Sequence, residues 1–204
     1  MKDSGVAASA GRWTSLLPAR KALARAGEAV AARSGRWALS GRRANAAAQH
    51  ETDSMDMTWV TGRIAVGGGI WTAENMAKVA RAGVTHILDM QIEFDDTPLA
   101  EPHGITVLWN PTDDDFQAKP PELFESGVDF ALQALDEDGS KLFIHCAAGV
   151  HRAPMMALAV LCSLSWKLDE AMQLIESKRP AADFADVYVR SVKRYLEQQV
   201  KAVR

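Results

Sequence analysis

The stretch Leu142-Phe143-Ile144-His145-Cys146-Ala147-Ala148-Gly149-Val150-His151-Arg152 constrains this chain more than any other. Three apolar residues of good strand propensity lead in, and an apolar run from Met155 to Leu164 leads out. The pattern predicts a buried strand, a loop from cysteine to arginine, and a helix starting near Arg152. Pro154 then falls in the first helical turn, where its missing N–H costs nothing. Such a loop has the parts needed to hold a tetrahedral dianion over a thiolate. A thiol attacks phosphorus only when ionised, and a free cysteine is mostly protonated at neutral pH. Inward-facing amides, a helix N-terminus and a nearby cation each favour the thiolate. Ala147, Ala148, Gly149, Val150 and His151 supply the amides, and Gly149 suits a sharp turn or a close approach. The planar fork of Arg152 grips two phosphoryl oxygens at once. Cys146 is therefore the expected nucleophile.

Around this loop, short apolar runs alternate with helical patterns. Strands are expected at 63–67, 85–90, 105–109 and 142–145. Helices are expected at 73–82, with Thr72 as N-cap and Gly83 at its end, at 121–136 behind Pro120-Pro121, and at 152–164, 168–178 and 183–202. This alternation predicts an α/β fold: a central mixed, mostly parallel sheet of about four to five strands, with helices on both faces. The glycines Gly67-Gly68-Gly69 read as a tight turn, because no Gly-Lys-Ser/Thr pattern follows them.

His-Cys-x-x-Gly-x-x-Arg, as it stands at residues 145–152, resembles the signature of the protein tyrosine phosphatase superfamily. Gly83-Val84-Thr85-His86-Ile87-Leu88-Asp89 and Gly104-Ile105-Thr106-Val107-Leu108 are similar to segments of its small dual-specificity members. The resemblance spans about residues 58–200. It implies two-step catalysis through a phosphocysteine, with neither metal nor cofactor. It also implies a general acid in a loop upstream of the cysteine. Asp113-Asp114-Asp115 follows the strand 105–109, and the family pattern lands on Asp114, 32 residues before Cys146. Asp113 or Asp115 takes its place if the loop is shifted by one. For His145, the resemblance implies a hydrogen bond within the loop that tunes the thiolate; a plain core histidine is the other reading. His151 reads as a rim charge or as surface filler. The loop Gln91–Pro98, with Glu93, Asp95 and Asp96, borders the substrate cleft in the family, though a solvated turn explains its acids equally well.

One position departs from the family pattern. Ala153 stands where most members carry Ser or Thr, the hydroxyl that the resemblance assigns to easing the thiolate out of the phosphocysteine. Slow breakdown of the intermediate is expected, as in the phosphatases of regenerating liver, which carry a similar Arg-Ala-Pro. The expected substrate is a phosphorylated protein, with phosphotyrosine and phosphoserine/threonine both open. A phosphorylated sugar, lipid or nucleotide is the alternative substrate. A phospho-binding adaptor and a rhodanese-like sulfur carrier are the alternatives of another class.

Composition adds bounds. Two cysteines make no disulfide framework, and a thiolate enzyme needs a reducing compartment, so a cytoplasmic location is expected. A reversible Cys146–Cys162 disulfide is a further expectation to test. No apolar run reaches membrane-spanning length. Residues 1–50 hold nine Lys and Arg against two acidic residues, whereas the remainder is acidic. The chain is thus read as a basic Ala/Arg-rich extension, 1–55, and a phosphatase-like domain, 56–204. For the extension three readings stay open: an organelle-targeting segment, a basic arm for a nucleic acid or membrane surface, and an inert tail ahead of a true start at Met55 or Met57. A weak amphipathic helix over residues 18–33 is compatible with each.

Overall fold

The structure is a computed structural model that describes residues 55–202. The N-terminal extension, its three readings and the helix over 18–33 lie outside the described residues.

Five strands form one sheet. They are β1 (Met57–Trp59), β2 (Ile64–Gly67), β3 (His86–Asp89), β4 (Thr106–Trp109) and β5 (Leu142–His145), in the spatial order β1-β2-β5-β3-β4. Only β1 runs antiparallel to its neighbour; the β2–β5, β5–β3 and β3–β4 pairs are parallel. Among the described residues six helices surround it: α1 (Ala73–Arg81), α2 (Thr97–Ala100), α3 (Pro121–Asp136), α4 (Arg152–Ser163), α5 (Leu168–Lys178) and α6 (Asp186–Ala202). The mixed, mostly parallel sheet agrees with the sequence reading. Strand β1 was not anticipated. Its three half-buried residues form no run, and pairing with β2 (Thr58 opposite Val66) holds them in place. The short α2 and the 3₁₀ turn Glu101–His103 were likewise missed, being too brief for a periodic signal.

Side-chain alternation along the strands divides the core in two. Ile64, Val66, Leu88, Leu142 and Ile144 pack under α3–α6. Ala65, Ile87 and Phe143 pack with Ile70, Met76, Val79 and Ala100 on the other face, covered by α1 and α2. Helix α4 is buried at every position from Arg152 to Leu161, so it is apolar all round after its first residue. Helix α6 buries a single stripe, Tyr188, Val192 and Tyr195, at helical spacing. Thr72 caps α1 by accepting from the Asn75 amide, and Gly83 (φ +83°) follows its end in the left-handed region. Phe143 is wholly buried on the central strand, and truncating it to Ala should cost about 3–5 kcal/mol. No helix among the described residues is long and apolar enough to cross a membrane.

The topology sets the position of the site. Gly67, His145 and Asp89 are register neighbours at the carboxyl ends of β2, β5 and β3. The three loops leaving these strands converge at one edge, where open parallel sheets bind ligands.

Candidate active site

The backbone of the loop Cys146–Arg152 is held from outside. The carbonyl of Ala147 accepts from Gly69 N–H at 3.0 Å, that of Val150 from Asp183 N–H at 2.9 Å and that of His151 from Met155 N–H at 2.9 Å. The Gly149 carbonyl accepts from Nε of Arg179 at 2.8 Å, and the Ala148 carbonyl from its Nη2 at 3.3 Å. Five successive carbonyls therefore turn away from the loop centre. In a planar trans peptide the N–H points opposite to the C=O. The amides of residues 148–152 are thus turned inward, onto the space beside Cys146. Helix α4 adds its positive end at Arg152. Gly149 has φ +64°, and a Cβ there would collide with the Arg179 guanidinium and the backbone of Gly67.

Arg179 was not anticipated. It is only 5% exposed, and its two Nη atoms donate to Asp56 Oδ1 and Oδ2, each at 2.7 Å. A bidentate ion pair thus ties the chain just before β1 to the outer side of the loop. The partners lie 123 residues apart, and nothing local marks either one.

Arg152 is 3% exposed and stands over the loop from its far end. Its Nη1 and Nη2 donate to Glu93 Oε2 and Oε1 at 2.9 and 2.8 Å, and Nη1 also donates to the Thr112 carbonyl at 3.0 Å. Its Nε is buried without a hydrogen-bond partner, 3.9 Å from Asp114 Oδ2. That unpaired donor beside inward amides is what an arriving oxyanion needs. Hydrogen bonding to Arg152 holds the Glu93 carboxyl below its ordinary range, against a smaller push from burial. Burial pulls the guanidinium down, but the Glu93 hydrogen bond and the facing Cys146 and Glu93 charges outweigh it and raise Arg152 overall. In the Gln91–Pro98 loop, Glu93 is part-exposed and its carboxylate pairs with Arg152.

The three aspartates of the acid loop have separate fates. Asp115 pairs with Lys119 at 2.5 Å and lies below its ordinary range because of that hydrogen bond. Asp113 offers its carbonyl to the same ammonium. Asp114 alone faces the loop, where His151 Nδ1 lies 3.0 Å from its Oδ2 and Tyr188 donates to its Oδ1 at 3.0 Å. His151 is a bridge and not surface filler, since its Nε2 lies 3.2 Å from Asp183 Oδ2.

His145 does not turn into the loop. Its ring stacks on Phe143, and its Nε2 lies 3.0 Å from Asp96 Oδ2 and 3.7 Å from Asp89 Oδ1, all three side chains being fully buried. Neither contact is a hydrogen bond, for neither ring nitrogen has a hydrogen-bond partner. Asp89 is pushed up to about 7, chiefly by burial and against the attraction of His145. Among the described residues this trio comes nearest to a metal-ligand set, with ligand atoms within 4.8 Å of one another. Its atoms already face each other in a closed interior, behind the strand that carries Cys146.

Cys146 and Cys162 are both free thiols in the structure, and Cys162 lies at the far end of α4 from Arg152. Its thiol is pushed up to about 11 by burial, the mark of an unreactive core cysteine. Trp109 is 43% exposed and donates its indole N–H to the Gln91 carbonyl at 2.8 Å, so it braces the Glu93 loop.

Residues 69–198 match the family model described as "Dual specificity phosphatase, catalytic domain". The chain belongs to this family. Similar proteins include protein tyrosine phosphatase type IVA 3 of Homo sapiens, 33% identical over 111 residues, which covers 53% of this chain and 61% of that protein. Dual specificity protein phosphatase 5 of Rattus norvegicus is 26% identical over 113 residues, covering 55% of this chain and 28% of that protein. The chain thus spans less than two-thirds of these relatives' length. Among solved structures, PTPMT1 in complex with PI(5)P superposes with a TM-score of 0.64 at 19% identity, over 73% of this chain and 99% of that one. Tk-PTP in its active form gives 0.61 at 23% identity, over 70% and 97%. At these identities the structures are similar in fold, and the fold is that of cysteine-dependent phosphatases.

Proposed function

We propose that this chain is a cysteine-dependent phosphomonoester hydrolase, a dual-specificity or tyrosine protein phosphatase whose phosphocysteine intermediate breaks down slowly. One observation carries the reading. Five consecutive loop carbonyls are tied outward, which aims the intervening amides at the space between Cys146 and the unpaired Nε of Arg152. A phosphoryl group there gains an anion nest, a helix N-terminus and a guanidinium, with no reorganisation of the loop backbone.

The chemistry follows in two steps. The Cys146 thiolate attacks phosphorus in line, forming the S–P bond as the P–O bond to the leaving group breaks. Arg152 and the amides hold the equatorial oxygens, and Asp114 protonates the departing oxygen. Water then attacks the phosphocysteine, Asp114 accepts its proton, and the S–P electron pair returns to sulfur. To grip the phosphoryl group fully, the Arg152 fork must leave Glu93, so substrate binding competes with that ion pair. Ala153, buried in the first turn of α4, offers the departing thiolate no hydroxyl, and the second step is slow for that reason. The placed acid speaks against an adaptor, which has no use for one.

Acid quenching during turnover of a phosphotyrosine peptide tests this reading. The intact protein should become heavier by one phosphoryl group, and Cys146→Ser should not. Turnover without such an adduct, or turnover surviving Cys146→Ser, overturns the proposal.

A further inference from the structure

Two side chains, His151 and Tyr188, meet Asp114, and Asp183 and Phe116 pack around them. His151 lies between two carboxylates, with Nδ1 3.0 Å from Asp114 Oδ2 and Nε2 3.2 Å from Asp183 Oδ2. Tyr188, from the first turn of α6, donates to the other oxygen of Asp114 at 3.0 Å. Its hydroxyl is pushed up to about 12, chiefly by burial and also by Asp114, so it stays a donor. Phe116 closes the group, with its ring edge-on to His151 at 5.0 Å and stacked on Tyr188 at 5.8 Å. The backbone there is strained: Phe116 sits at φ +54°, half exposed, with its amide donating to the Tyr188 oxygen at 3.0 Å. The remaining charges nearby are the Arg152 guanidinium, 3.9 Å from Asp114, and Lys119, which lies over the Tyr188 ring at 5.5 Å while paired with Asp115. Partly exposed ion pairs add little stability, so a strained residue and a doubly paired histidine gathered on one carboxylate point to function.

We infer that His151 is the positioning residue and proton reservoir of Asp114, with Asp183 as its counter-charge and Tyr188 fixing the carboxylate plane. The inference rests on the phosphatase reading above. One proton is shared between Asp114 and Nδ1 of His151, and Nε2 keeps its own proton toward Asp183. When the P–O bond breaks, the shared proton passes through Asp114 to the leaving oxygen. Asp114 is then ionised and His151 neutral. When water attacks the phosphocysteine, the proton it loses goes to Asp114 and Nδ1, and the pair is reloaded for the next cycle. Nothing in the eight-residue signature requires a histidine before the arginine, so this device belongs to this chain's own variable position.

The test reads kcat/KM, which ends at leaving-group departure and is blind to slow intermediate hydrolysis. It compares phenyl phosphate, whose leaving group needs a proton, with 2,4-dinitrophenyl phosphate, whose leaving group does not. His151→Gln retains hydrogen bonding but carries no charge. It should lose about tenfold or more on phenyl phosphate and little on the dinitrophenyl ester. In an Asp114→Asn background it should cost nothing further, because the two act as one unit. Asp183→Asn removes a counter-charge from the imidazolium. The alkaline limb of kcat/KM for phenyl phosphate should therefore move down by a few tenths of a pH unit. Wild-type behaviour of His151→Gln on both esters overturns the inference, as does equal loss on both, which signals damage to the fold. Failure of the unmodified, reduced protein to turn over either ester overturns the phosphatase reading and this inference with it.

Discussion

Arg179 is the residue on which the loop's shape depends most. Its guanidinium meets two loop carbonyls, which it keeps facing out with the following amides facing in, and is itself anchored by Asp56. Arg179→Ala should therefore lower kcat/KM by about 10–100-fold while Cys146, Arg152 and Asp114 remain in place, since small displacements at a reacting centre cost that much. Unchanged kcat/KM would remove the brace from the account. Ala153 acts in the opposite sense. Ala153→Ser should raise kcat by about tenfold with kcat/KM little altered, because only the second step gains a stabilising hydroxyl. Stopped-flow separation of burst and steady state reads both quantities. Arg152→Lys retains charge but not the fork, and kcat/KM should fall by about 10²–10³-fold.

At the scale of elements, the strand ends place the chemistry and also carry a cost. Asp89 closes β3 inside the protein, where burial raises it to about 7 from an ordinary 3.8. The folded protein thus holds a proton that the unfolded chain releases between about pH 4 and pH 7. Stability contributed by this group is unaffected below about pH 4, falls across that window, and stays lowered above about 7. Denaturant midpoints of Asp89→Asn should fall less steeply than those of the wild type between pH 5 and pH 7.5, and parallel slopes would contradict this. The same strand end explains what the sequence could tell. The four parallel strands, Thr72 as cap and the start of α4 at Arg152 were legible, because each rests on local apolar runs or cap chemistry. Strand β1 was not, since three residues paired across a turn leave no period. Of the two readings for His145 the structure has the core histidine, and its neighbours Asp89 and Asp96 could not be named beforehand because they meet it only when β3 and β5 pair.

At the scale of the molecule, one domain gathers the site from every part of its length. Asp56 precedes β1, Glu93 follows β3, Asp114 follows β4, Cys146 follows β5, and Arg179 and Tyr188 flank the start of α6. The linear motif pointed to Cys146 and Arg152, and the family pattern pointed to Asp114 with Asp113 and Asp115 left open. Glu93, Arg179, Asp183 and Tyr188 acquire meaning only once the sheet closes, so their partners could not be named beforehand. Protein beginning at residue 55 contains every one of these groups, and its kcat/KM should match that of the full chain within about twofold. On the proposed mechanism, the loop around Cys146 forms and then slowly releases a phosphocysteine. Rapid mixing of the reduced protein with an aryl phosphate tests it most directly. A burst of phenol stoichiometric with enzyme, then slow turnover, is expected, with both absent in Cys146→Ser. Linear phenol release from the first turnover, or release that survives Cys146→Ser, would contradict it.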